Sequence, residues 1–498
     1  MATLSVILYT LPLFFIFLYS CVQLQLALAF WWRRRKLKND STMTKDFIPT
    51  VTIQLPVYNE LYVVERLLDA IVKLDYPKDK VEIQVLDDSN DETVQIIANK
   101  IKELEPFGWD IQHVRRKERV GFKAGALAYG LTISKGEFVA VFDADFIPKS
   151  DFLKKTVPYF VQDNIGVVQT RWEHMNKGFS FLTQMQALAL DGHFVVEQMG
   201  RNMSGHFMNF NGTAGLWRRT CIEDAGGWAA DTLTEDLDLS YRAQLKGWEF
   251  KYLGDVTTPA ELPVAMNAFK SQQFRWTKGA AECAVKNLPK VLKSKNVSFF
   301  DKLHAISHLM NSGIFICILL LSLASVPLVY FQLQYQGQQG MMFHKILQLA
   351  TIGFLNLGMI TVFFWLSYEH TRGGFTVKNF FSFLLKFPFF LTMSLGMALH
   401  NAMAAIEGYI GKKSPFVRTP KFNLEEIGTM KGWKKNKYLS KGVSLTAKME
   451  LFLALFFLMT IILSINYGVY DMLMFHIPLF IGYSTISGYS FLHARMMQ

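Results

Sequence analysis

The chain divides sharply into sequence suited to a membrane and sequence suited to water, and this division limits its fold more than any other feature. Residues 1–32 and most of 303–495 are apolar, whereas 33–300 read as ordinary soluble sequence. The first apolar run, 4–32, is too long for a signal-peptide core and has no basic residue ahead of it. It ends in Trp31-Trp32-Arg33-Arg34-Arg35-Lys36. Indole rings prefer the headgroup level and basic residues resist translocation, so this order predicts a retained span with its C-terminal side in the cytoplasm. Further spans are expected at 313–330, 346–368, 449–465 and 473–491, each near the roughly 17–25 residues that a crossing needs.

The stretch 380–410 is apolar too, but it contains Lys386, Pro388, His400, Asn401 and Glu407. Parity of charge decides how to read it. The segment 411–448 carries Lys412, Lys413, Arg418, Lys421, Lys431, Lys434, Lys435, Lys437 and Lys441, and the loop after Tyr368 carries Arg372 and Lys378. Both loops should be cytoplasmic. A single crossing between them would place one outside, and about 31 residues do not hold two crossings. An interface or re-entrant helix is therefore expected there. The resulting layout has a span at 1–32, a soluble domain at 33–300 with interface helices at its end, and two spans within 301–370. An interface helix and basic loop follow at 371–448, then two spans within 449–498. The N-terminus lies outside and the C-terminus inside.

A net charge of +11 could point to nucleic acid, but much of the Lys/Arg excess borders apolar segments. Attraction to anionic lipid explains it better, and no nucleic-acid partner is expected. Cys21, Cys221, Cys283 and Cys317 have no metal-ligand spacing, so neither a zinc site nor a disulfide framework is expected.

Within the soluble domain, short β-rich runs at 51–56, 83–86, 111–114 and 138–142 alternate with helical stretches such as 61–74 and 91–104. That alternation predicts an α/β domain with a mostly parallel sheet and helices on both faces. Ligands bind such sheets beyond the carboxyl ends of the strands. Acidic residues stand at those ends: Leu86 precedes Asp87-Asp88-Ser89, and Phe142 precedes Asp143-Ala144-Asp145. Two carboxylates on a turn suit a divalent cation whose remaining ligands come from a diphosphate. One such pair would read as loop or cap residues; two in one domain favour a site. Thr234-Glu235-Asp236 and Gln272-Gln273-Phe274-Arg275-Trp276 follow. Thr234 is also a candidate helix cap, and Arg275-Trp276 could equally be a snorkelling arginine beside an interfacial indole.

These four clusters, in this order, resemble the processive inverting family 2 glycosyltransferases of the cellulose synthase superfamily. The surrounding text is similar to the plant cellulose-synthase-like mannan and glucomannan synthases, with matching phrases at 84–89, 121–126, 142–146 and 210–215. The resemblance implies a GT-A-like fold inserted between transmembrane helices. It implies Asp87, Asp143, Lys123, Gln272 and Arg275 on the nucleotide-sugar, Asp145 on Mg2+ or Mn2+, and Asp236 as general base. Glu235 and Trp276 would meet the acceptor. Phe416, Thr419 and Lys421 resemble part of a cytoplasmic gating loop.

The implied reaction is hexose transfer from GDP-mannose or UDP-glucose to a growing β-linked polysaccharide, coupled to export. Only one base is assigned and no carboxylate nucleophile, which fits a single inverting displacement. A non-processive transferase using a lipid acceptor is the alternative, and an inactive membrane scaffold or transporter the third reading. The expected location is a plasma, inner or Golgi membrane, with accessory subunits or self-association left open. Trp172 and Trp217 read as core aromatics or stacking surfaces, and His193 and His206 as structural or acceptor-side histidines. His304, His308 and Asn311 would face a glycan path or mark the entry of a helix into the interface.

Overall fold

The computed structural model describes residues 2–34, 47–334, 339–415, 417–423, 436–439 and 442–496. A seven-stranded sheet forms the centre of the soluble domain, in the order β3-β2-β1-β4-β6-β5-β7. Its strands are β1 (Val51–Val57), β2 (Val81–Asp87), β3 (Asp110–Val114), β4 (Phe138–Val141), β5 (Ile165–His174), β6 (Gly215–Arg218) and β7 (Glu249–Ala260). The first four are mutually parallel, so the chain leaves β1, β2 and β4 at one edge. Only β6 runs against its neighbours, β4 and β5. The four expected strands form β1 to β4 within a few residues of their expected bounds; β5, β6 and β7 are additional.

Side chains on successive strand residues point to opposite faces, and both faces of this sheet are covered. On β4, Phe138 and Ala140 join one apolar layer with Ile53, Ile83 and Val85. Val139 and Val141 join the other, with Leu127, Phe210 and Trp217. This second layer also contains Ala27 and Phe30 of the N-terminal helix and Phe363 and Leu366 of the helix Gln339–His370. The ends of two apolar helices are thus part of the core that supports the sheet.

Five helices among the described residues are long and apolar enough to cross a membrane: Leu4–Arg33, Gly313–Tyr330, Thr351–His370, Val377–Gly396 and Leu445–Asn466. The number agrees with expectation, and four of the five coincide with expected spans. The fifth differs. The segment expected as one interface helix is instead two, Val377–Gly396 and Ala398–Tyr409, the first of them 20 residues long. Lys386 lies in the first piece, and His400, Asn401 and Glu407 fall in the second. Leu473–Met496 is a 24-residue helix packed along Leu445–Asn466, but its Ser, His and Pro content leaves it outside the five. It crosses Val377–Gly396 at a pair of glycines, where the Gly396 and Gly482 backbones approach too closely for side chains.

Candidate functional site

The carboxyl ends of β1, β2 and β4 open onto two adjoining cavities. One is lined by Lys123, Asp143, Asp145, Glu235, Asp236, Gln272, Arg275, Trp276 and Lys421. The second shares Lys123, Asp143, Asp145, Arg275 and Lys421 and adds Tyr58, Glu60, Asp88, Arg119, Arg418 and Thr419. Nine of the twelve residues singled out in the sequence therefore meet at one cavity, and Thr419 joins them at the next. Phe416 lies outside the described residues.

Asp143 follows the buried Phe142 at the end of β4, and its backbone N–H donates to Thr213 Oγ1 at 2.8 Å. Lys123 Nζ donates to Asp143 Oδ1 at 2.5 Å and to the Gly212 carbonyl at 2.9 Å. Burial works against the Lys123 ammonium, but Asp143 and Glu235 outweigh it and hold its pKa above the usual lysine value. Two residues on, Asp145 is 2% exposed. Its Oδ2 accepts from Lys421 at 2.7 Å, while its Oδ1 is buried without a hydrogen-bond partner among the described residues. Burial raises the Asp145 pKa against the pull of Lys421.

Glu235 and Asp236 open the helix Glu235–Leu245. Thr234 stands at the cap position, but its side chain makes no capping hydrogen bond and lies instead against Cys283 Sγ. Asp236 Oδ1 accepts from the Leu237 N–H at 2.9 Å. Burial and the neighbouring Glu235 carboxylate push the Asp236 pKa up to about 7, and burial raises Glu235 as well. A carboxylate poised near neutrality is suited to take a proton. Gly212, with φ +76°, brings its backbone beside this group: a Cβ there would sit 2.9 Å from Asp236 Oδ2.

The opposite wall is the helix Met266–Lys293, which carries Gln272, Arg275 and Trp276. Arg275 Nη2 donates to Thr419 Oγ1 at 3.3 Å. The Trp276 ring lies 6.4 Å from that of Trp172, which also lines the cavity. Trp217, by contrast, is fully buried in the core. An apolar cavity lined by Phe269, Phe315, Phe390 and Met393 adjoins this wall and shares Gln272 and Trp276 with it.

Asp87 is placed differently from Asp143. It is 1% exposed and lines neither of the two cavities. Its Oδ1 accepts from the Ser89 N–H at 2.8 Å and its Oδ2 faces His113 Nε2 at 2.9 Å. Burial opposes its charge, but these hydrogen bonds prevail and hold its pKa below the usual value. The adjacent Asp88 reaches the cavity and is gripped by Arg116 through Nε at 3.0 Å and Nη2 at 2.5 Å. Glu60, Arg119 and His174 also line the site without having been singled out for it, and Asn211, within the matching phrase 210–215, joins them. One local sign of Glu60's position exists: the preceding Asn59 has φ +56° and turns the chain sharply after β1.

The segment 417–423 lies across the cavities. Arg418 pairs with Glu60 at 2.8 Å, and Glu261 Oε2 accepts from the Phe422 and Asn423 N–H groups at 3.1 Å. Of the histidines, His206 stacks on His304 and faces Asp301, and His308 Nδ1 meets the Tyr241 hydroxyl at 2.8 Å. They tie the helix Phe299–Leu309 to the soluble domain. His304 and His308 are buried there, ahead of the first apolar helix that follows the domain.

The described residues contain no cluster of three or more His, Cys, Asp or Glu side chains that would close a metal shell. The donor set instead suits an open shell. Asp145 Oδ1 is an unpartnered buried carboxylate oxygen, and Asp143 stands two residues away on the same turn. Hard oxygen ligands of this kind suit Mg2+ or Mn2+, with a substrate's phosphates completing the coordination.

Residues 49–279 match the model of a glycosyltransferase-like family 2 domain. A probable glucomannan 4-beta-mannosyltransferase 4 of Oryza sativa subsp. japonica is 44% identical over 265 residues, covering 51% of this chain and 48% of the relative. Glucomannan 4-beta-mannosyltransferase 2 of Arabidopsis thaliana is 39% identical over 299 residues, covering 58% and 56%. The chain thus spans about half the length of the curated relatives it matches. Among solved structures, a mannosyltransferase from Pyrobaculum calidifontis in complex with GDP-Man and Mn2+ superposes with TM-score 0.54. It is 22% identical and covers 83% of this chain and all of that one, a likeness that shows a shared GT-A-like fold. With its acidic strand ends, its Thr-Glu-Asp helix and its Gln-x-x-Arg-Trp helix around one cavity, the domain at residues 49–279 is a family 2 glycosyltransferase domain.

Proposed function

We propose that the protein is a membrane-integrated inverting hexosyltransferase that moves a sugar from a nucleotide-sugar to a β-linked glycan. One observation carries this reading: the Asp236 carboxylate, with its pKa near 7, shares a cavity with Lys123, Arg275 and Trp276. Proton acceptor, cationic groups for a leaving diphosphate and a flat apolar face for a sugar ring thus lie together.

Asp143 and Asp145 would hold a divalent cation, which when bound neutralises negative charge on the donor diphosphate. Lys123 and Arg275 stabilise the charge that builds on the departing phosphate oxygen. Asp236 accepts the acceptor hydroxyl's proton as that oxygen bonds to the anomeric carbon. The bond from that carbon to the diphosphate breaks, and its electron pair leaves with the phosphate. Attack opposite the leaving group inverts the centre, turning an α-linked donor into a β-linkage. Trp276 and Trp172 offer ring faces that align the acceptor, and alignment supplies much of the rate. Asp87 supports the nucleotide end from behind Asp88, while Thr419 and Lys421 bring the 417–423 segment against the donor pocket.

The names of the relatives favour mannose as the transferred sugar; GDP-mannose is then the donor to test, with UDP-glucose the competing one. The domain would face the cytoplasm, where Arg33 ends the first apolar helix and Arg34 follows it. A second reading, transfer to a lipid-linked acceptor, is favoured by the apolar cavity beside Trp276, whose Phe269, Phe315 and Phe390 lining suits a hydrocarbon chain.

The test presents the purified full chain in nanodiscs, with Mn2+ or Mg2+, to labelled GDP-mannose and UDP-glucose separately. High-molecular-weight label released by β-mannanase or β-glucanase supports polymer synthesis and names the sugar. Label confined to a lipid extract replaces that reading with the second. No transfer from either donor, with nucleotide still bound, would refute both.

A further inference from the structure

Asn211 lines the catalytic cavity, and its side chain is held on both sides. Gln198 Nε2 donates to Asn211 Oδ1 at 2.6 Å. Asn211 Nδ2 meets His193 Nε2 at 3.0 Å. An amide nitrogen only donates, so His193 Nε2 must carry the lone pair. The imidazole proton is then on Nδ1, which faces Glu197 Oε2 at 2.7 Å. The carboxylate accepts that proton, so each bond in the series fixes the orientation of the next. A reversed Asn211 amide would turn its NH2 towards the Gln198 donor and its oxygen towards the imidazole lone pair, losing both bonds. Among the described residues, the second Asn211 Nδ2 hydrogen has no protein partner and is left for a ligand.

Glu197 is 7% exposed and is held from beyond the domain. Its Oε1 accepts from Arg201 Nη2 at 2.6 Å and from Gln23 Nε2 at 3.1 Å. Gln23 belongs to the apolar helix Ala2–Arg33 and is 2% exposed. His193 and Glu197 both lie in the π-helical turn Gly192–Glu197. Such turns are rare insertions that re-aim side chains, often at functional sites. Here close packing fixes the turn against two apolar helices. A Cβ at Gly192 would sit 2.7 Å from Phe364 Cε1, and one at Gly200 would sit 2.7 Å from the Leu26 carbonyl oxygen.

We propose that His193 is a positioning residue: through Glu197 it anchors the Asn211 amide to the membrane helix Ala2–Arg33, and Asn211 donates its remaining hydrogen to a sugar hydroxyl in the cavity. This deepens the glycosyltransferase reading and rests on it. A shift of an ångström in the Asn211 amide changes the alignment of the sugar hydroxyl without touching the nucleotide pocket.

Three single variants of the full chain and one double variant, in nanodiscs, test the relay, using manno- and cello-oligosaccharide acceptors with GDP-mannose and UDP-glucose. His193→Leu removes both bonds, and its kcat/KM for the acceptor should fall about 10- to 100-fold, with affinity for GDP or UDP unchanged. His193→Gln can accept from Asn211 with its Oε1 and donate to Glu197 with its Nε2, and should recover most of that loss. Asn211→Leu should match His193→Leu, and the double variant should lose no more than either. Unchanged transfer in His193→Leu would overturn the proposal. So would a parallel loss of nucleotide affinity and thermal stability that His193→Gln fails to repair. Wild-type protein that binds nucleotide but transfers to no acceptor would refute the glycosyltransferase reading instead. The relay then remains readable by 15N-histidine NMR: a neutral Nδ1–H resonance lost in His193→Leu upholds it, and its absence overturns it.

Discussion

Lys421 places its ammonium 2.7 Å from Asp145 Oδ2, a carboxylate 276 residues earlier in the chain. A univalent cation thus stands at the oxygen pair best suited to a divalent one, and the two compete for the same charge. Lys421→Met should therefore tighten Mn2+ binding roughly tenfold in the absence of nucleotide, by removing a like-charge neighbour. Losing Lys421 also favours protonation of the buried Asp145, so the comparison belongs at alkaline pH. Titration of free Mn2+ by electron paramagnetic resonance gives the answer; equal or weaker affinity would refute the competition.

Asp236 offers a pH test with a definite sign. Its pKa is raised to about 7, chiefly by burial and then by Glu235. A general base works deprotonated, so kcat/KM should fall as pH drops through about 7 and level off above it. Glu235→Gln removes the carboxylate that helps raise this pKa, and its acidic limb should move to lower pH, whatever happens to its maximum. Asp236→Asn should lose about 10²- to 10⁴-fold in transfer while binding nucleotide normally. A limb that stays in place in Glu235→Gln would show that another group governs it.

The catalytic wall is tied to the apolar helices by a buried ion pair. Lys270, two residues before Gln272-x-x-Arg275, donates to Glu450 Oε2 and to Ser490 Oγ. Both charged residues are nearly inaccessible. Lys270→Met strands Glu450 and should cost about 3–5 kcal/mol, whereas Lys270→Met with Glu450→Leu should recover most of it. Denaturant unfolding in one detergent compares the three proteins. A double variant no better than the single would mean that the pair holds the helices by geometry rather than by charge balance.

Gly482 allows the helix Leu473–Met496 to cross Val377–Gly396. A Cβ on Gly482 would lie 2.3 Å from the Thr392 carbonyl oxygen, a backbone atom with no rotamer in which to escape. Gly482→Ala should separate the helices and destabilise the protein by about 1–3 kcal/mol, seen as a lower melting temperature in detergent. Gly488 meets nothing within 4 Å, so Gly488→Ala on the same helix is the matched control.

The parts of this site readable from sequence are those whose signal is local. Asp143 and Asp145 follow a buried strand and therefore stand at a sheet edge, which a run of apolar residues reveals. Glu235-Asp236 and Arg275-Trp276 are compact clusters, each on one helix. Asp88 faces the cavity while Asp87 turns inward towards His113 and Ser89, and adjacency alone does not separate them. The strands β5 and β7 lie next to each other in the sheet, but their pairing shifts register near Thr170 and Arg171, which breaks the regular alternation that would announce them. Glu60 and Arg418 meet across 358 residues, so neither carries a pattern that names its partner. Within 380–410 the parity of the flanking basic loops carries no mark of the break at Met397, which divides the segment into two helices.

The helix Met266–Lys293 has a consequence that reaches beyond the cavity. Arg275 and Trp276 ride on the same rigid rod whose Lys270 is fastened to Glu450 of the helix Leu445–Asn466. Helices of that kind tilt when the surrounding bilayer thickens or thins. Under the proposed reaction the rod would convert such tilt into displacement of Arg275 and Trp276, and the lipid host would become a variable in the rate law. Turnover measured in short-chain and long-chain lipids would then differ through the position of two side chains, with every residue of the active site unchanged.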